Sequence, residues 1–135
     1  MEVSYELSMD LATPYPPAAN LKTWRRALRL DRIANRVEID DNYLLTQPTE
    51  GAFLGLMTAC DVTTPTAGTL RLISKQGAPP TTIQFDPSLL KPTIDTIALD
   101  NERLVHHWGA TVYRIRQQRQ TPATSGKLRL TILST

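Results

Sequence analysis

The chain holds one cysteine, Cys60, in 135 residues, so an internal disulfide framework and a cysteine-rich zinc site are both excluded. Glycine is scarce at six residues, and none of them builds a Walker-type or dinucleotide-binding loop. A Gly-x-Ser-x-Gly nucleophile elbow is missing as well. No apolar run approaches the ~20 residues that a membrane-spanning helix needs. The N-terminus carries no basic-then-apolar leader. An excess of one charge sign is also lacking, since 15 Lys and Arg face 13 Asp and Glu for a net charge of +2. Attraction to polyanions through net charge is therefore excluded, and with no recognition motif nucleic acid is not expected as a partner.

What is abundant points to strands. The sequence has 18 Thr, 8 Ile and 5 Val, whose Cβ branches cost rotamer freedom in a helix and pack well on a pleated sheet. Ten prolines recur along the chain and interrupt any long helix. With 41% hydrophobic residues there is enough apolar mass for one core. The expectation is an all-β antiparallel β-sandwich with little helix, forming a single domain over residues 1–135. Within it, residues 1–24 read as an N-terminal edge strand and a proline-containing loop, and residues 25–135 as the main sandwich.

Alternation locates the strands. Leu28 and Leu30 face one way while Arg29 and Asp31 face the other, and after Ala34-Asn35 the pattern repeats with Val37 and Ile39 inward. This is a hairpin, with Asp40-Asp41-Asn42 expected as the next tight turn. Residues 52–59 are nearly all apolar and read as a central strand covered on both faces, with Gly55 marking a bulge or close backbone approach. Further alternating windows lie at 68–74, 82–85, 110–116 and 127–132. Turn clusters are expected at 64–68, 77–80 and 121–126. An edge strand is expected around residues 3–7, and residues 18–24 suit a single helical turn.

Asp10-Leu11-Ala12, Tyr15-Pro16, Ala18 and Trp24-Arg25-Arg26 open a longer pattern. It runs on through Leu28, Leu30, Arg32, Val37, Ile39, Asp40-Asp41 and Tyr43-Leu44-Leu45. It closes with Trp108-Gly109, Tyr113-Arg114-Ile115 and Gly126-Lys127-Leu128. The series resembles the C-terminal β-sandwich region of heparinase II/III-like polysaccharide lyases, over nearly the whole chain. The resemblance implies a parent with an α-helical toroid joined to a large antiparallel sandwich, acting by β-elimination on uronic-acid-containing glycans. It implies a periplasmic or extracellular setting, with an acidic polysaccharide and the missing toroid domain as partners. The family's catalytic and zinc groups lie on segments that do not match this sequence. The resemblance therefore assigns no catalytic residue, metal or cofactor here, and this chain alone is expected to be noncatalytic. The alternative is a stand-alone carbohydrate-binding or protein-interaction module. An open sheet edge would also give such a piece a route to a homodimer.

Among candidate chemical groups, His106-His107 is the only histidine pair. On a strand adjacent side chains point to opposite faces, so the pair cannot chelate one ion, and one ring is expected to pack beside Trp108 with the other solvated. Asp40-Asp41-Asn42 lacks the further acids of a calcium loop. Cys60 reads as a buried or semi-buried thiol. The sharper feature is a run of six cations in fifteen residues: Lys22, Arg25, Arg26, Arg29, Arg32 and Arg36. Guanidinium forks match carboxylate and sulfate, and Trp24 suits stacking on a sugar ring, so Trp24, Arg25, Arg26 and Arg29 form a candidate glycan-binding set. The same arginines equally suit a solvated face paired with Glu38 and Asp40, or contact with a neighbouring domain.

Overall fold

A computed structural model describes residues 3–49 and 52–134. Among these residues the chain forms ten strands, a 3-10 turn at Pro17–Ala19 and one α-helix. The strands are β1 (Ser4–Asp10), β2 (Leu21–Asp31), β3 (Arg36–Thr49), β4 (Phe53–Thr58), β5 (Asp61–Thr66), β6 (Thr69–Ile73), β7 (Thr81–Gln84), β8 (Leu90–Ala98), β9 (Thr111–Arg119) and β10 (Ala123–Ser134). The helix, α1, spans Glu102–Trp108. Seven strands make one sheet in the order β1-β2-β3-β10-β7-β6-β5, and three make a second in the order β4-β9-β8. Every pairing is antiparallel. The protein is all-β, and the two sheets pack as a sandwich. No helix among the described residues is long and apolar enough to cross a membrane.

The core lies where the narrow sheet covers the wide one. Leu54 from β4, Leu90 from β8 and Ile115 from β9 meet Ile39, Tyr43, Leu45, Leu70, Ile83, Leu128 and Leu130 of the wide sheet. Leu21, Trp24 and Leu28 of β2 reach the margin of this cluster, and no residue of β1 belongs to it. Yet β1 points Tyr5, Leu7 and Met9 to the same face, opposite Leu30, Leu28 and Arg26. The consequence is an uncovered apolar strip, with Tyr5 48%, Leu7 59% and Leu30 40% exposed.

The expected β2–β3 hairpin forms, turning at residues 32–35 with Asn35 in the left-handed region at φ 51°. Asp31 Oδ1 secures the turn by accepting from the backbone N–H groups of Ile33 and Ala34. The expected edge strand is present as β1. Several expectations are corrected. Residues 40–42 are not a turn: β3 runs straight through them, with Asp41 inward. Residues 52–59 do not form a strand covered on both faces, because β4 is an edge strand with Phe53 and Met57 exposed. Gly55 keeps regular pairing opposite Arg116, with the Phe53 ring 3.5 Å from where a Cβ would sit. Residues 64–66 belong to β5, and residues 123–126 to β10, where an irregularity falls between Ala123 and Ser125. Of the 18–24 region only Ala18 and Ala19 turn helically, within the 3-10 turn Pro17–Ala19, since β2 starts at Leu21 and continues through Trp24.

His106 and His107 are not on a strand. They sit in α1, which Asn101 caps by accepting from the N–H groups of Arg103 and Leu104. Gly109 ends the helix at φ 87°, and Leu104 and Trp108 look onto Met57 and Val112. Both histidines are exposed, so neither is packed away beside Trp108.

Candidate binding cleft

The inward face of β2 and β3 is apolar except at one register position. Ala27 and Asp40 pair outward, whereas Arg26 and Asp41 pair inward, between Trp24–Tyr43 and Leu28–Ile39. Asp41 has 1% of its surface exposed. A buried carboxylate must be paired and hydrogen-bonded to remain charged. Arg26 supplies a fork: Nε donates to Oδ1 and Nη2 donates to Oδ2, both at 2.7 Å. Trp24 Nε1 adds a third donor to Oδ2 at 2.9 Å. Held this way, the Arg26 guanidinium has its pKa raised, first by the hydrogen bond to Asp41 and then by that carboxylate's charge.

The Trp24 indole also stacks on Tyr43, with ring centroids 4.8 Å apart and an interplanar angle of 21°. Tyr43 in turn lies over Gly126 of β10, its register partner. A Cβ at Gly126 would meet Tyr43 Oη at 2.6 Å, so the glycine is there to admit the ring. Burial raises the pKa of the Tyr43 phenol, and its hydroxyl has no hydrogen-bond partner among the described residues. Tyr43, Trp24, Arg26 and Asp41 thus form one connected unit on two adjacent strands, β2 and β3, packed against β10 at Gly126.

Beside this unit opens a cleft of about 620 Å³, bounded by the loop before β2, by β2 itself and by β4. Tyr15, Trp24 and Phe53 supply aromatic rings, and Arg26 supplies the cation. The loop is fixed rather than slack. Asp10 Oδ1 accepts from Ala12 N–H, Tyr15 N–H donates to Ala12 O, and Leu11 N–H donates to Trp24 O at 2.7 Å. Asn20 then adopts the left-handed region at φ 58° and its carbonyl accepts from Thr46 N–H. The Arg26 side chain is 24% exposed. Chemically, the cleft offers stacking surface and one oriented cation.

The four candidate residues read from the sequence divide between two faces. Trp24 and Arg26 line the cleft, but Arg25 and Arg29 point to the opposite side of β2. On that side Arg29 lies 4.0 Å from Glu38, Arg36 lies near Asp31 and Glu38, and Arg129 forks onto Asp40 at 2.6 and 3.2 Å. The basic run therefore does not form one patch: Arg26 turns inward, while Arg29 and Arg36 join a solvated ion-pair ladder whose members contribute little individually. Tyr15, Phe53 and Asp41 are the participants that sequence reasoning missed. Asp41 had a signal, because Val37, Ile39, Tyr43 and Leu45 place position 41 on the inward face.

Two other polar groups stand out. Gln117 of β9 is fully buried, and neither Nε2 nor Oε1 has a partner among the described residues. On the outer face of the narrow sheet, Asp95 accepts from Arg116 Nε at 2.8 Å, Arg116 Nη2 at 3.1 Å and Arg114 Nε at 3.0 Å. These bonds hold the Asp95 carboxyl below the usual carboxylate range, Arg116 contributing most. Cys60 is a free, half-buried thiol in the bend after β4. No family model matches the chain, and no curated protein is detectably similar to it in sequence.

Proposed function

We propose that this chain is a noncatalytic β-sandwich region of a heparinase II/III-like polysaccharide lyase, working as a structural support for the substrate cleft of its parent. The observation that carries the reading is the unequal sandwich: a seven-stranded sheet faced by only three strands, with Tyr5, Leu7 and Leu30 uncovered. A contiguous apolar strip on one sheet face is the mark of a surface that another element covers. The helical toroid of the parent is the partner this reading supplies, and a periplasmic or extracellular setting follows from the same lineage. The Arg26–Asp41 pair fits a structural task, since both oxygens of the carboxylate are occupied within the chain.

A second reading, a carbohydrate-binding module, is favoured by one specific observation: the cleft that joins Tyr15, Trp24 and Phe53 to Arg26. Titration with heparin and with alginate in moderate salt, followed by calorimetry, separates the two. The structural reading expects no saturable binding and no ultraviolet absorbance from an unsaturated uronate product. Saturable binding lost on Trp24→Ala, with the fold retained, favours the module. Product formation contradicts the noncatalytic assignment.

A further inference from the structure

The free edge of β1 carries a second, independent pattern. Arg32 N–H donates to Val3 O at 2.9 Å and Leu11 N–H donates to Trp24 O at 2.7 Å. With the continuous β1–β2 register between them, these bonds make the odd-numbered residues of β1 the hydrogen-bonded partners of β2. Ser4, Glu6, Ser8 and Asp10 therefore direct their backbone N–H and C=O groups outward along an edge that no described strand occupies. An open edge of this length is a template for another strand.

We propose that a second copy of this chain occupies it, through an antiparallel β1–β1 pairing whose two-fold axis passes through Leu7. In that register Ser4 stands opposite Asp10 of the second copy and Glu6 opposite Ser8. All four outward-directed residues are then satisfied, giving about eight N–H···O bonds at two per hydrogen-bonded pair, near the ~10 of a typical interface. The symmetry is isologous and closes at two copies. Moving the axis to Glu6 sets Glu6 against itself, and moving it to Ser8 sets Glu6 against Asp10. Like charges directly opposite are destabilising, so the sequence selects the Leu7 register over both neighbours. On the apolar face the same register puts Leu7 against Leu7, at the non-hydrogen-bonded position where side chains approach most closely. It also puts each Tyr5 ring beside the Met9 thioether of the other copy, a favourable sulfur–aromatic pair. The strip beside β1 becomes continuous across the dimer, and the pairing depends on none of the lineage argument above.

Ser8 provides the test, because it is exposed, faces Ala27 within the chain and directs its N–H away from β2. Sedimentation equilibrium across a wide concentration range is run on the wild type and on Ser8→Pro, Ser8→Glu and Ser8→Lys. Thermal melting confirms that each variant is folded. The wild type is expected to dimerise reversibly. Ser8→Pro, which removes an outward N–H, and Ser8→Glu, which faces Glu6 of the second copy, each weaken the dimer at least tenfold. Ser8→Lys, facing the same Glu6, tightens it. A wild type that stays monomeric overturns the proposal and leaves the edge to a strand from elsewhere. A dimer indifferent to Ser8, or one moved the same way by Glu and Lys, overturns it equally.

Discussion

Asp41 receives both arms of the Arg26 fork at 2.7 Å while lying at the inward register position between Ile39 and Tyr43. The pair joins β2 to β3 at the margin of the core and fixes the indole that walls the cleft. Removing Asp41 is expected to be among the costliest single changes in the chain. Asp41→Ala leaves the Arg26 charge and the Trp24 N–H without their partner, a loss of about 3 kcal/mol. Chemical denaturation measures it. The double change Arg26→Met plus Asp41→Leu should recover much of the loss, because a buried ion pair replaced by apolar residues of similar volume is often neutral.

Gly126 is expected to tolerate no side chain. Gly126→Ala puts a methyl 2.6 Å from Tyr43 Oη and 2.8 Å from its Cζ. The ring must leave its stack on Trp24 or β10 must shift, costing about 1–3 kcal/mol. Near-ultraviolet circular dichroism should lose the Trp24–Tyr43 signature together with the fall in melting temperature.

Gln117 gives a prediction of opposite sign. Its amide is fully buried without a partner among the described residues, next to Leu54 on one side and Pro92 on the other in the narrow sheet. Replacing an unsatisfied buried polar group with an apolar one of similar length should stabilise by about 1 kcal/mol. Gln117→Met, followed by denaturant midpoint, checks this.

Acid should weaken the fold partly through Asp95. Its folded pKa is lowered, by hydrogen bonds from Arg116 first and Arg114 second. The stabilisation is therefore present above the unfolded value of about 4 and is lost as pH falls through the lower folded value. Asp31 and Asp86 act in the same direction, held down by the Ala34 N–H and by Ser88 respectively. Asp95→Asn should lower stability at neutral pH and flatten the acid limb of stability against pH.

The sequence was a good guide wherever one periodicity governed a segment. The β2–β3 hairpin followed from alternating leucine and charge, and the β-branched composition carried the fold class. It misled where a local signal and the tertiary environment disagreed. Asp40-Asp41-Asn42 has turn composition, but Arg26 on the neighbouring strand makes an inward Asp41 affordable. Residues 52–59 look like a two-sided interior strand, yet β4 is an edge because its second neighbour is missing from the sheet. Strands β5 and β8 hid behind Pro65 and Pro92, which are tolerated because both strands are edges. The cleft was only half legible, since Tyr15, Trp24 and Phe53 are far apart in sequence and nothing local links them.

Three strands only partly cover the wide sheet. Binding of an apolar fluorescent dye to the folded protein tests this most directly, with Leu7→Ser plus Leu30→Ser as the comparison. Saturable dye binding by a cooperatively melting wild type, sharply reduced in the double variant while its fold persists, is the result expected. A folded wild type that takes up no dye would mean that the β1–β2 face is already covered, and would contradict the account.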